Sequence, residues 1–258
     1  MTNPTKKIQY CSDLHLELRD NSRYIKYNPL EVVGDILILA GDITYRGEEY
    51  YKHPFFNFVS DKFEKVYMIC GNHEFYKGFD LKIQDEPEQT KIRENVYMVN
   101  NKSIVIDNIN FIFSTLWSEI NPVHGLKITT YITDFHLIKY HGNKLTPDNF
   151  TKLHKKSLEF LQTAFDNNKS EKMVVVTHHL PADACMVDEF RGNSLNSAFM
   201  TDLHSFVEKS NADFWIYGHS HRNKLPQKIG KTKLITNQLG YVAMKENLTY
   251  KSNAVFEI

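Results

Sequence analysis

Six of the twelve histidines fall into short polar motifs, each placed directly after an apolar run. Asp13-Leu14-His15 follows the run 8–11, Gly41-Asp42 follows 35–40, and Gly71-Asn72-His73-Glu74 follows 66–70. Thr177-His178-His179 follows 173–176, and Gly218-His219-Ser220-His221 follows 214–217. Carboxylate and amide oxygens with imidazole nitrogens, and no thiolate among them, favour borderline divalent metals such as Mn, Fe, Zn, Co or Ni. Asp13 and His15 lie two apart, as do His219 and His221, a spacing that sends both side chains to one side of an extended segment. Gly41, Gly71 and Gly218 each precede a candidate ligand, and lack of a Cβ permits tight turns and close backbone approach there. The ligand groups are too many for one catalytic ion and suit two, with a carboxylate such as Asp42 bridging ions about 3.5–4 Å apart. Such a centre keeps surplus positive charge and favours an anionic substrate, which phosphate esters match best.

Several elements must bring these motifs together. Apolar runs of four to six residues without alternation read as strands covered on both faces. Ligands of open α/β sheets gather beyond the carboxyl ends of strands, so these strand ends predict one shared polar site. Between the strands, residues 48–63 place Tyr51, Phe55, Phe58, Val59 and Phe63 on one helical stripe. Thr146-Pro147 reads as an N-cap and first helical residue, opening a helix that buries Phe150, Leu153, Leu158, Leu161 and Phe165. A third helix is expected near 199–209. Residues 103–106 with 110–114, and 225–229 with 233–236, read as hairpins, so the sheet system is mixed. The long, aromatic and weakly periodic stretch 117–145 reads as a cap or lid within a single domain spanning 1–258.

In this order the motifs resemble the calcineurin-like metallophosphoesterase superfamily, and they span residues 13–221. A bacterial branch of small single-domain members is similar also in Thr133-Asp134-Phe135, Leu145-Thr146-Pro147, Thr177-His178-His179-Leu180-Pro181 and Asn237-Gln238-Leu239-Gly240-Tyr241. That branch usually has Pro-Arg where this chain has Gln238-Leu239, a departure that bears on substrate choice and not on the metal site. The resemblance implies an α/β fold built as a four-layer α/β/β/α sandwich with two mixed β-sheets. It implies one metal held by Asp13, His15, Asp42 and His221. A second is held by Asp42, Asn72, His178 and His219, with Asp42 bridging. His73 then contacts the phosphate and helps protonate the leaving alkoxide, and the nucleophile is water activated by the metals. Asn72 and His73 are expected to meet the substrate. Of the histidine pair, His178 aligns with the ligand, leaving His179 to support it or face the substrate. Glu74 is expected to orient a ligand through a hydrogen bond, Phe75 and Tyr76 to pack at the pocket wall, Asp134 and His136 to reach substrate from the lid, and His154 to be structural.

Composition sets the remaining bounds. Lys+Arg and Asp+Glu number 31 each, so net charge is zero, which argues against coating nucleic acid or an anionic membrane. No apolar run approaches the roughly 18–20 residues of a membrane helix. Cys11, Cys70 and Cys185 show no C-x-x-C spacing and read as buried thiols of a reducing compartment. The polar stretch 1–7 leads into an apolar run too short for a signal-peptide core, so a cytoplasmic protein is expected. A Walker loop, a Gly-x-Ser-x-Gly elbow and a His-Glu-x-x-His helix are all lacking. The expected activity is hydrolysis of a small phosphorylated substrate, a nucleotide among the candidates, by a dinuclear phosphodiesterase or phosphomonoesterase. Its oligomeric state is not specified. The alternative is a binding scaffold that keeps the fold without the chemistry.

Overall fold

The motif-bearing runs form five short strands, β1 (Lys7–Cys11), β2 (Ile36–Ala40), β3 (Lys65–Ile69), β4 (Lys172–Thr177) and β5 (Phe214–Ile216). The computed structural model describes residues 5–258; residues 1–4 of the polar N-terminal stretch lie outside the described residues. In one sheet β1, β2, β3 and Val96–Asn100 run parallel, flanked by antiparallel Val255–Glu257 and Glu88–Lys91. The second sheet repeats the plan: Ile109–Ser114, β4, β5 and Thr232–Ile235 are parallel, with Lys102–Ile106 and Gln227–Ile229 antiparallel at the edges. Both edge pairs of this second sheet are the expected hairpins.

Side-chain alternation along β2 explains the lack of a polar face. Ile36, Ile38 and Ala40 pack between the sheets with Phe111, Phe113, Val174 and Val176, while Leu37 and Leu39 join Phe56 and Val59 on the helix side. Val175 and Trp215 of the second sheet likewise meet Leu161 and Val207 of the opposite helices. These layers make the four-layer α/β/β/α arrangement with two mixed sheets. Among the described residues no helix is long and apolar enough to cross a membrane.

Helices follow the sequence reading with two adjustments. The expected helix 48–63 is two, Glu48–Lys52 and Pro54–Lys62. Pro54 cannot continue a helix and forces His53 into extended backbone. His53 then caps the second helix through Nδ1, and Tyr51 swings out to 54% exposure while Tyr50 is buried. The helix near 199–209 is shorter, His204–Ser210. Pro147–Asp166 begins as expected, with a reciprocal Thr146–Asn149 capping box and Phe150, Leu153 and Leu161 buried. His154 on this helix is structural, its Nδ1 3.0 Å from the Leu116 carbonyl. The stretch 117–145 holds two short helices, Gly125–Tyr131 and Asp134–Leu137, and a ribbon of Lys139–Tyr140 with Asn143–Lys144.

Candidate metal centre

Each strand stops just before its ligands, and the chain turns sharply there. Asp13, His15, Asp42, His219 and His221 have φ of 55°, 45°, 54°, 76° and 52°, all in the left-handed region that side chains avoid. The two-apart pairs therefore converge through left-handed turns and not through strand alternation, which corrects the expectation from spacing. Such backbone costs about 1–3 kcal/mol per residue, so the surroundings must enforce it. The Asp13 and His15 N–H groups donate to the carbonyls of Gly41 and Asp42 at 2.9 and 3.0 Å. Buried Glu74 accepts from the backbone N–H of Gly71 at 2.7 Å, Ile43 at 2.8 Å and Asp42 at 3.1 Å, tying two ligand loops together. Burial and the neighbouring Asp42 raise Glu74 to about 8. Gln238, also buried, accepts from the His221 N–H at 2.6 Å and donates to the Arg222 carbonyl at 3.1 Å. Leu239 beside it lies in the core, so this departure from the family pattern shapes the floor of the His219–His221 loop and not the cavity.

Gly71 shows how tightly the loops pack. A Cβ there would lie 2.2 Å from Asp42 Oδ1 and 2.5 Å from His178 Nε2. Gly71→Ala is expected to leave the fold intact by circular dichroism while lowering metal affinity by about 10–100-fold, the scale of losing ligand orientation. Wild-type affinity in that variant contradicts the assignment.

Asp13, His15, Asp42 and His221 each point one ligand atom into a single space, all within 4.8 Å of one another, as do Asp42, His178 and His219. Asp42 belongs to both sets. Its Oδ2 is 3.7 Å from His15 Nε2 and 3.4 Å from His178 Nε2, and His221 Nε2 is 3.5 Å from Asp13 Oδ1. Asn72 Oδ1 lies 3.3 Å from His178 Nε2. Metal–ligand bonds of about 2.0–2.2 Å separate neighbouring ligand atoms by about 3–3.5 Å, so this spacing suits cations.

The donor chemistry agrees. His178 Nδ1 donates to the Ala40 carbonyl at 2.9 Å, which directs Nε2 at Asp42 and Asn72. His15 and His221 Nδ1 lie 3.0 and 2.8 Å from the carboxylates of Glu17 and Glu246, which turns their Nε2 atoms towards each other at 2.8 Å. A shared proton or a metal cation satisfies two such nitrogens. His219 Nε2 is buried with no hydrogen-bond partner. Burial and the adjacent His179 and His178 push His219 well below its ordinary pKa, keeping the neutral ring that a metal requires. The field of the site also favours positive charge: against the effect of burial, Asp42 raises His178 to about 10 and, with Glu17, His73 to about 9.

A cavity of about 350 Å³ opens on this centre, lined by Asp42, Asn72, His73, His219 and His221 among others. His73 lies at its edge, with its N–H donating to Asp42 Oδ1 at 2.9 Å, its Nδ1 3.0 Å from Glu17 and its Nε2 3.2 Å from the Tyr241 hydroxyl. Asn72 Nδ2 donates to Asp134 at 2.8 Å and to the Tyr76 hydroxyl at 2.9 Å, which fixes the amide with its oxygen towards His178.

The lid residues and the second histidine take different places. Asp134 is buried, accepts from Asn72 Nδ2 and also lines the cavity. His136 is exposed, with its Nε2 3.1 Å from the Thr130 carbonyl, and does not line the cavity. His179, expected to support His178 or to face the substrate, is wholly buried against Trp117, Phe150 and the His219 ring and lies outside the cavity lining. Phe75 packs in the core and Tyr76 lines the cavity. Glu17 and Glu246 were not singled out from sequence. Glu17 has one local signal, a carboxylate two residues past His15; Glu246 comes from a distant turn and has none.

A family model described as calcineurin-like phosphoesterase matches residues 6–223 of this chain. An uncharacterised protein of Acanthamoeba polyphaga mimivirus is 32% identical over 272 aligned positions, covering 93% of each chain. Among solved structures, the phosphopantetheinyl hydrolase of Mycobacterium tuberculosis is similar in fold. Its TM-score is 0.67 at 17% identity, over all of this chain and 97% of that one.

Proposed function

Because this chain belongs to the calcineurin-like phosphoesterase family, we propose that it hydrolyses a small phosphoester with two divalent transition-metal ions. The observation that carries this reading is the Asp42 carboxylate shared between two ligand clusters. Asp13, His15, Asp42 and His221 would hold one ion, and Asp42, Asn72, His178 and His219 the other. Two cations held there would activate water for attack on phosphorus and offset charge on the phosphoryl oxygens. His73, kept protonated by Asp42 and Glu17, contacts the phosphoryl group and delivers its Nε2 proton to the leaving oxygen. The Tyr241 hydroxyl lies 3.2 Å from the same Nε2 and holds the ring in place. The stretch 117–145 is the cap of this single domain, since Tyr131, Ile132, Thr133 and Asp134 line the cavity. Buried, free Cys11, Cys70 and Cys185 fit a reducing, cytoplasmic setting.

Elemental analysis of purified protein is expected to find about two transition-metal ions per chain, and chelation to abolish hydrolysis until Mn²⁺ or a similar ion is returned. Affinity should fall from about pH 8 to about pH 5.5, because imidazole and carboxylate ligands must shed protons to bind. Full turnover in the chelated protein, or affinity flat across that range, contradicts the proposal.

A further inference from the structure

We propose that Glu17 is a positioning residue shared by the ligand His15 and the proton donor His73, an inference that rests on the hydrolase reading above. One carboxylate oxygen, Oε1, lies 3.0 Å from Nδ1 of both rings. The rings meet edge to face with centroids 4.3 Å apart, so a single atom reaches both. A carboxylate oxygen only accepts, so each Nδ1 carries a hydrogen and each Nε2 is left for other work. At His15 that atom turns into the ligand cluster, 3.7 Å from Asp42 Oδ2. At His73 it faces the Tyr241 hydroxyl beside the cavity. When the P–O ester bond breaks, the leaving oxygen takes the His73 Nε2 proton while Oε1 keeps the Nδ1 hydrogen in place. One oxygen thus couples the hold on an ion to the aim of the acid.

The surroundings of Glu17 fit no other task. Left-handed backbone at His15 and a bond from the Leu18 N–H to the His15 carbonyl at 2.9 Å bend the chain there. The Glu17 side chain is 1% exposed, and among the described residues its charged partners are these two imidazoles and no lysine or arginine. Its other oxygen, Oε2, is buried with no hydrogen-bond partner. Stranding a carboxylate oxygen away from water is costly, and such groups call for a functional reason. The other two acids at the centre use both oxygens. Glu74 binds three backbone N–H groups, and Glu246 divides its oxygens between His221 with the Tyr241 N–H and Arg222. What Glu17 holds is the pair of histidines.

The test has two arms. Calorimetric titration of metal-free protein with Mn²⁺ is expected to show one of the two ions bound about 10–100-fold more weakly in Glu17→Ala, the scale of losing a ligand's hydrogen-bond partner. Glu17→Gln, which keeps an acceptor oxygen at the same reach, should recover most of that loss. In the second arm, rates of Mn²⁺-saturated protein are compared on nitrophenyl, phenyl and ethyl phosphate esters. Glu17→Ala should lose about 10–100-fold on the ethyl ester and far less on the nitrophenyl ester, whose leaving group needs little protonation. Added to His73→Ala, it should cost no further rate yet still weaken the ion. Unaltered Mn²⁺ affinity, equal losses on all three esters, or a loss that multiplies that of His73→Ala overturns the shared role while the hydrolase reading stands. If wild-type protein with both ions bound hydrolyses none of the esters, that reading falls and the His73 half of the proposal with it, whereas the titration still decides the His15 half.

Discussion

Asp42→Asn is expected to cut phosphoester hydrolysis by about 10³-fold or more and to strip metal from both positions, a larger loss than the roughly 10–100-fold of disturbing a ligand's hydrogen-bond partner. The carboxylate is the one group common to the two clusters, and its Oδ2 lies between His15 and His178. It also anchors the His73 backbone N–H. Asparagine keeps the shape but removes the negative charge and turns an amide donor toward imidazoles or cations. The measurement is metal content by mass spectrometry alongside rate, with circular dichroism to verify folding. Two retained ions with near-native turnover would remove the central assignment.

His73→Ala should separate chemistry from metal binding. Proton delivery by a positioned side chain contributes about 10²–10⁴-fold, and a loss in that range is expected with metal content unchanged. His73 reaches Asp42 through its backbone, and its ring contacts Glu17, Tyr241 and the edge of His15, outside the two clusters that share Asp42. The deficit should shrink for aryl esters, whose leaving groups need little protonation, and be greatest for alkyl esters. Equal deficits on both classes would assign His73 to binding, and loss of metal would assign it to the centre itself.

Much of the site was legible because its ligands sit in local motifs after uniformly apolar runs, and both signals are short-range. Asp13, His15, Asp42, His178, His219 and His221 all converge, and the Gly71 position is as crowded as its place before Asn72 implies. The hidden parts depend on tertiary contacts. Pro54 splitting a continuous-looking stripe was visible in principle, but hydrophobic spacing alone passes over it. His179 has the residue type of a site residue, yet only the packing of Trp117 and Phe150 shows that it points into the interior. Glu246 orients His221 from 25 positions away, beyond the reach of any local pattern.

The donors come from both halves of the sandwich: β1, β2 and β3 supply Asp13, His15, Asp42 and Asn72, while β4 and β5 supply His178, His219 and His221. The His178–Ala40 bond stitches one half to the other beside them. On the proposed ligand sets neither ion draws all its ligands from one half, so full occupancy would report their docking. During refolding, metal uptake should lag behind formation of either half and coincide with the last cooperative step. Ions bound there would act as a latch on an already assembled body, so a chain that has not closed would stay chemically silent.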